Sequence, residues 1–523
     1  MSRQTKLTIK PSVDEMRAMS RCGNLIPIFG ELPTDLDTPV SLYLRLAGDD
    51  PSFLLESVVG GERVARYSFL GVRLAQALVL NGQALTRRTL TGDTVHVEAV
   101  PIPAPRLSPI DPPRAGDVLD ALRAEMQRYR FVPASGLPRF CGGLVGYTGY
   151  DVVRQFERLP TTARDVLRVP DAVYFLVDTL VVFDHARSTL LIIANAHIPD
   201  GASDEDIAAA YEDAVARIKT IRARLDAPPA ALTPNPLAVC TPTRANKTQA
   251  EYEHMVLDAK EHIKAGDIFQ VVLSRRLERR STAHPFAIYR ALRMLNPSPW
   301  MFYFNFGKLL DLPCGPLRVI GASPEMHARF EHGLVTVRPI AGTRPRGATE
   351  EEDARLAQEL LADPKERAEH VMLVDLGRND IGRVAQYGSV RVDDLMVIEN
   401  YSHVMHIVST VHGRVRDGLD AFDVLRATFP AGTLTGAPKV RAMEIIEQLE
   451  GERRALYGGT VGYFSFDGQM DTCITIRTIT MCGDMCYVQA GAGIVADSNP
   501  TAEYHETMNK ARALMVAIDE AET

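Results

Sequence analysis

The sequence is poor in tryptophan, with Trp300 standing alone among 523 residues. It is also poor in cysteine. Its seven cysteines are Cys22, Cys141, Cys240, Cys314, Cys473, Cys482 and Cys486, an odd and scattered set with no CxxC pair. That spacing excludes the usual zinc sites and gives no disulfide framework, and unpaired thiols fit a reducing cytoplasm. Positive charge is not in excess. The net charge is -8 with the two signs interspersed, and the basic patch or stripe expected of a nucleic-acid partner is missing. No apolar run is long enough to cross a bilayer, because the longest, Ala172 to Phe183, is interrupted at Asp178. The opening MSRQTKLTIKPSVDEMRAMS has neither an apolar core nor a small-residue cleavage site, so no targeting segment is expected. There is no internal repeat and no low-complexity tract.

What is present is ordinary globular material, 46% hydrophobic and 24% charged. The length exceeds one ordinary core and predicts two domains or one large composite sheet. Proline punctuates the chain twice, in VPIPAPRLSPIDPPR (Val100 to Arg114) and in DAPPAALTPNPLAVCTPTRANK (Asp226 to Lys247). Repeated proline favours extended backbone, and the second stretch reads as the better linker. The division expected is an N-terminal region over 20–225, a linker over 226–247 and a C-terminal domain over 248–517. Ile207, Tyr211, Val215, Ile218 and Leu225 keep helical spacing after a Ser203 cap. Thr248 and Glu251 form a capping-box pattern before Met255, Ala259 and Ile263, and Gly266 suits the stop. YGGTVGYFSF, DTCITIRTITM and CYVQAGAGIV read as successive strands. Asn499-Pro500 opens a last helix through Glu503, Glu506 and Lys510.

Several long strings in the C-terminal half resemble the chorismate-utilising enzymes. They are PIAGTRPRG (Pro339 to Gly347), AEHVMLVDLGRNDIGRVA (Ala368 to Ala385), YSHVMHIVS (Tyr401 to Ser409), FPAGTLTGAPKVRAMEIIE (Phe429 to Glu447), YGGTVGYFSF (Tyr457 to Phe466), QAGAGIVADSNP (Gln489 to Pro500) and NKARAL (Asn509 to Leu514). The match runs from about Thr248 to Ala517; the N-terminal half matches chiefly through FLLESVVGGERVARYSFLG (Phe53 to Gly71). The resemblance implies an α/β fold, a large two-layer sandwich of orthogonal antiparallel sheets flanked by helices, with the active site in a cleft between layers.

It also implies site residues. Chorismate is a dicarboxylate bearing a ring hydroxyl, so displacing that hydroxyl needs a dication for one carboxylate, donors for the other and an acid near the leaving oxygen. Magnesium takes oxygen ligands and often only one or two protein carboxylates. The family places these at Glu369 and Glu506, with Glu366 and Glu503 one turn earlier on the same faces. Without the motifs, both would read as solvated helix glutamates. Arg477, read in the strand TIRTI, can grip a carboxylate bidentately; a plain surface ion pair is the alternative. Gly491-Ala492-Gly493 leaves main-chain N–H groups approachable, or else marks a bulge or turn. Gly342 and Thr343 contribute similarly and Tyr457 lines the site. Lys510 is either a further carboxylate contact or an i,i+4 partner of Glu506. Glu325 in GASPEMH is the candidate general acid, given a pKa raised by burial, with a structural glutamate after a Ser-Pro turn as the alternative. Thr433 joins it in the catalytic set. His406 is the candidate for the proton transfer accompanying loss of pyruvate; His403 is its rival, one of the two being a packed core histidine.

Two positions separate the relatives. Where aminodeoxychorismate synthases carry a nucleophilic lysine in PIKGT, this chain has Ala341, which cannot attack covalently. Where water-adding relatives place a lysine base, it has Gln270. Both replacements point to ammonia as the attacking group and to the anthranilate synthase large subunits. FLLES, with Ser57, and NPSPWMFYF, with Pro299, Trp300 and Met301, resemble those enzymes' tryptophan feedback site, although the family more often has Tyr at the Trp300 position. A plain core strand is the competing reading of LLES. None of the seven cysteines sits in a glutamine-amidotransferase nucleophile motif, so ammonia is expected from a separate glutaminase subunit, in a heterotetramer. An aminodeoxychorismate synthase component and a non-catalytic tryptophan-binding homologue are the competing readings; Ala341 speaks against the first, and intact Glu325, Glu369, His406 and Glu506 against the second.

Overall fold

The apolar run from Ala172 to Phe183 is two strands, not one. Ala172–Val177 and Thr179–Asp184 lie in different sheets, and Asp178 is the joint between them. The second strand is buried on both faces. Leu180 and Val182 point into a core shared by the two sheets, while Val181 and Phe183 point outward under helices. A strand buried on both sides reads as continuous hydrophobicity, which is why no period-2 alternation marks it.

The computed structural model describes residues 7–58, 66–105, 114–234, 239–310, 312–401 and 404–523. Among them, two large antiparallel sheets of 13 and 11 strands and a small sheet of three form the architecture. From one edge, the larger sheet runs Thr8–Lys10, Leu25–Pro33, Thr189–His197, Thr179–Asp184, Tyr67–Gly71, Ser52–Glu56, Trp300–Asn305, Leu317–Ser323, Thr478–Cys482, Met485–Ile494, Gln270–Arg280 and Arg244–Ala245. Gly436–Ala437 pairs beside Gln270–Arg280. The second sheet likewise mixes early strands such as Gly143–Thr148 with late ones such as Thr460–Ser465. The proline-rich 226–247 stretch therefore joins two parts of the sequence whose strands are shared between the same sheets. Phe53, Phe69, Phe302 and Phe304 from the larger sheet meet Val145, Tyr147, Phe175 and Tyr463 from the other in the core between them. Each such side chain, fully buried, contributes about 1.5–3 kcal/mol.

Helices cover the outer faces. Asp204–Arg224 starts at Ser203, whose hydroxyl accepts from Asp206 N–H, and Gln249–Lys264 starts at Thr248 with its capping box complete. Gly266 follows with φ +81°, the left-handed stop that favours glycine. Pro500–Glu522 is capped by Asn499.

Two expectations need correction. DTCITIRTITM is two strands, Met470–Ile474 and Thr478–Cys482, lying in different sheets. Arg477 sits in the break with φ +47° rather than within a strand. Cys314 and Cys482, expected as free thiols, form a disulfide across 168 residues, with Cα atoms 5.6 Å apart; pairing at such sequence distance leaves no local spacing to read.

Candidate active site

Glu325 follows the strand Leu317–Ser323 by two residues and is turned inward, 9% exposed. Burial raises its pKa to about 8, an effect partly offset by Thr433, Lys510 and Arg477 nearby. A carboxyl in that state carries its proton at neutral pH and can give it up, as a general acid requires. Thr433 Oγ is itself buried and completes no hydrogen bond of ordinary geometry; it stands close enough to favour the ionised carboxyl without neutralising the cost of burial. Glu325, Gly432, Thr433 and Ile474 line one cleft of about 400 Å3 with His327 and Leu373.

The charges of Arg477 and Glu325 act on one another, and among the described residues the Arg477 guanidinium forms no ion pair. Its left-handed backbone arises where the chain leaves one sheet for the other, and strain of this kind concentrates at functional sites. A free guanidinium there offers a bidentate seat for a carboxylate.

Gly342 is the extra residue of a β-bulge in Ile340–Pro345, where the pairing shifts between Ala341 and Thr343. Its φ is +66°, and a Cβ there would come within 3.1 Å of the Glu366 carboxylate. Its carbonyl, 2.9 Å from His406 Nδ1, accepts from that nitrogen, and Thr343 Oγ lies 3.1 Å from the same atom. This assignment leaves His406 Nε2 as the proton acceptor. Burial lowers the His406 pKa, so the ring is neutral and able to take a proton. The rival His403 lies outside the described residues.

Glu369, on Pro364–Gly382, is half-buried, and its pKa is raised by burial and then by the charges of Glu366 and Glu506. Glu506 pairs with Lys510 at 2.7 Å. Of the two roles expected of Lys510, the ion pair with Glu506 is the one present; Lys510 also donates to Gly491 O at 3.0 Å. Among the described residues no three His, Cys, Asp or Glu side chains close into a ligand shell. Mutually repelling glutamates fit a hard dication that keeps water and substrate as its other ligands.

Gly491 and Gly493 lie in a regular stretch of pairing with Gln270–Arg280, so no bulge or turn explains them. Close packing does. A Cβ at Gly491 would meet the Tyr457 hydroxyl at 2.8 Å, and one at Gly493 would meet Gln270 Nε2 at 2.4 Å. Ala492 between them is buried. Gln270 thus fills the space beside the glycine strand, and its Oε1 is unpartnered. Ala341 is buried on the bulged strand.

Sequence reasoning missed the supports. Arg454, fully enclosed, donates to both oxygens of Glu450 and to the carbonyls of Leu434 and Val272, while Ser274 donates to Glu450 from its N–H and hydroxyl. This network ties the Thr433 turn to the Gln270–Arg280 strand. Lys439 pairs with Asp380 at 2.7 Å beside the cleft. Lys439 and Asp380 lay within quoted motifs, but nothing in their spacing shows that they meet.

Ser57, Pro299, Trp300 and Met301 line a second pocket of about 490 Å3, which shares no lining residue with the first. The strands Ser52–Glu56 and Trp300–Asn305 are paired, with Met301 opposite Glu56. Ser57 Oγ is buried without a partner, and Trp300 Nε1 donates to Asp471 at 3.3 Å. Arg139 and Arg329 flank Asp471.

The chorismate binding enzyme model matches residues 94–516, well beyond the stretch marked by the motifs. The chain is 46% identical over 517 residues to anthranilate synthase component 1 of Acetivibrio thermocellus, covering 98% of this chain and 99% of that protein. It is 44% identical to the Aquifex aeolicus protein of the same name, covering 99% of each. The crystal structure of anthranilate synthase component I from Streptococcus pneumoniae TIGR4 superposes with a TM-score of 0.70 at 34% identity, over 92% of this chain and 98% of that one. The menaquinone-specific isochorismate synthase from Escherichia coli shares the fold, with a TM-score of 0.66 at 18% identity. The chain belongs to the chorismate binding enzyme family, on the branch whose members are named anthranilate synthase component 1.

Proposed function

We propose that this chain aminates chorismate with ammonia and eliminates pyruvate, giving anthranilate and water for the first step of tryptophan biosynthesis. The observation that carries the reading is the buried, protonated Glu325 in the cleft, within the electrostatic influence of an uncommitted Arg477. Arg477 and Lys510 seat substrate carboxylate, with main-chain groups of Gly491 to Gly493 and of Gly342 and Thr343 closing around it. Glu325 gives its proton to the departing ring hydroxyl, which leaves as water as the C–N bond forms. His406 Nε2 then removes a ring proton as the C–O bond to the enolpyruvyl group breaks; the elimination makes the ring aromatic, and the released enolate takes up a proton to become pyruvate. Magnesium, when held by Glu369 and Glu506, supplies positive charge for a carboxylate. Ala341 leaves no lysine to attack the ring in place of ammonia, which favours this activity over an aminodeoxychorismate synthase, and Gln270 leaves no lysine base to activate water, which favours it over the water-adding relatives.

Ammonia comes from a separate glutaminase subunit in a heterotetramer, and the name component 1 accords with a partner component. L-tryptophan inhibits from the second pocket, where the free Ser57 hydroxyl and the Arg139 guanidinium suit an amino acid's polar ends. The setting is cytoplasmic; among the described residues no helix is long and apolar enough to cross a membrane, and the Cys314–Cys482 pair is the feature that sits against a reducing compartment. Anthranilate fluorescence, followed with chorismate, magnesium and ammonium salt, tests the central claim; absence of anthranilate from well-folded protein refutes it.

A further inference from the structure

We propose that Ser323 is a positioning residue that couples the Ser57–Trp300 pocket to Glu325 and Arg477, through a clamp between its strand end and the segment Ile474 to Arg477. The inference rests on the reading of both pockets given above. The strand Leu317–Ser323 grips that segment at two points. Ala322 N–H donates to Arg477 O at 3.1 Å, and Ser323 Oγ donates to Ile474 O at 2.7 Å. Ile474 N–H returns a bond to Glu325 O at 3.0 Å, and Glu325 N–H leans on Ser323 Oγ at 3.4 Å. The main chains carrying the acid and the guanidinium are therefore fixed by the same two residues.

The other edge of that strand is the regulatory pocket's own strand. Ser323 lies opposite Trp300, and Ala322 opposite Met301. The pocket wall also includes Cys473, one residue before Ile474 in the chain. A displacement of Trp300 and Met301 thus arrives at the clamp through one pair of adjacent strands, and Cys473 brings the same wall to it from the other sheet. Ser323 and Ala322 are fully buried, and a close-packed interior transmits such a shift instead of absorbing it. A ligand that prefers one arrangement of the pocket then biases the placement of Glu325 and Arg477. Ala322 acts through its main chain, so the Ser323 hydroxyl is the part of the clamp that substitution can remove.

Ser323→Ala deletes that bond and Ser323→Thr keeps a hydroxyl. L-tryptophan binding is measured by calorimetry, inhibition by the anthranilate rate, and kcat across pH at fixed free ammonia. In the alanine variant, binding is expected within about twofold of the parent while inhibition weakens about tenfold more than binding does. The alkaline limb of its kcat profile moves to lower pH as Glu325 loses its fixed, desolvated place. The threonine variant restores both. A serine that only fills space lowers kcat or stability without separating inhibition from binding. Inhibition that follows binding in the alanine variant, with an unmoved pH limb, overturns the proposal. If the alanine variant does not fold, the Glu325→Gln protein decides through Trp300, the single tryptophan: saturation with chorismate and magnesium, verified by calorimetry, shifts its emission maximum if the sites are coupled, and an unmoved maximum overturns the coupling. Failure of L-tryptophan to bind the parent refutes the pocket reading itself, a result distinct from binding with coupling intact in Ser323→Ala.

Discussion

Glu325→Gln is expected to slow anthranilate formation by about 10²–10⁴-fold and to raise stability, increasingly so toward alkaline pH. Burial lifts the Glu325 pKa from 4.5 to about 8. Between those values the folded protein keeps a proton that the unfolded chain has released, so stability falls by about 1.4 kcal/mol for each pH unit. The cost is absent below the unfolded value and complete above the folded one. At pH 7.5, three units above 4.5, it amounts to about 4 kcal/mol; at pH 5 it is below about 1 kcal/mol. Glutamine carries no charge at either pH and escapes the penalty. An unfolding entropy of about 2.1 cal/mol/K per residue, over 523 residues, gives about 1.1 kcal/mol/K, so the variant's Tm rises by about 4 °C at pH 7.5 and by under about 1 °C at pH 5. Glutamine cannot donate an acidic proton, and loss of general acid catalysis costs about 10²–10⁴-fold in rate. Melting curves of both proteins from pH 5 to 8, with anthranilate rates at fixed free ammonia, provide the assay. A Tm difference that does not grow with pH refutes the assignment of Glu325 as a buried acid, and near-parent turnover refutes its role.

Glu369→Gln or Glu506→Gln is expected to remove turnover at any magnesium concentration while leaving the melting temperature near the parent's; full activity in either variant removes that residue from the metal site. The chain alone makes anthranilate from ammonium salt at alkaline pH and none from glutamine; glutamine-dependent turnover by the pure chain refutes the two-subunit reading. Ser57→Phe retains turnover of chorismate and loses inhibition by L-tryptophan, because the ring fills the pocket and removes the free hydroxyl; inhibition as strong as the parent's places the feedback site elsewhere.

Local signals were legible where a short segment decides its own structure. Ser203, Thr248, Gly266 and Asn499 mark helix ends because each cap satisfies neighbouring backbone groups without help from the rest of the chain. The break at Arg477 was not legible. TIRTI has the composition of one strand, and what divides it is that its two ends pair with different sheets. The disulfide escaped for the same reason, since its partners meet only through sheet topology; Glu450 and Arg454 stand four apart, but Gly451 ends the helix between them, and the bonds that matter, to Val272 and Ser274, cross the fold. The glycines of Gly491 to Gly493 were legible as open backbone, but the side chains that require them, Tyr457 and Gln270, were identified on other grounds.

The distribution of regular and irregular backbone explains why chemistry and stability separate in this molecule. The long strands contribute apolar faces to the shared core and carry few of the groups proposed to act on substrate. The acid, the guanidinium and one of the carbonyls sit where regular pairing stops, whereas Gly491 to Gly493 stay in regular pairing and Glu369, Glu506 and Lys510 stand on helices. Glu325 follows a strand end, Arg477 occupies a crossing between sheets, and Gly342 is the extra residue of a bulge. A regular pleat sends alternate side chains to opposite faces, so it cannot aim an acid, a guanidinium and a carbonyl at one small molecule. A crossing or a bulge can, at a cost in strain that the surrounding hydrogen bonds offset. The Arg454–Glu450 pair and the Ser323 hydroxyl are such bonds, joining the irregular segments to the regular strands beside them. Substitutions in these supports are therefore expected to change the placement of the acid and the guanidinium before they change the fold.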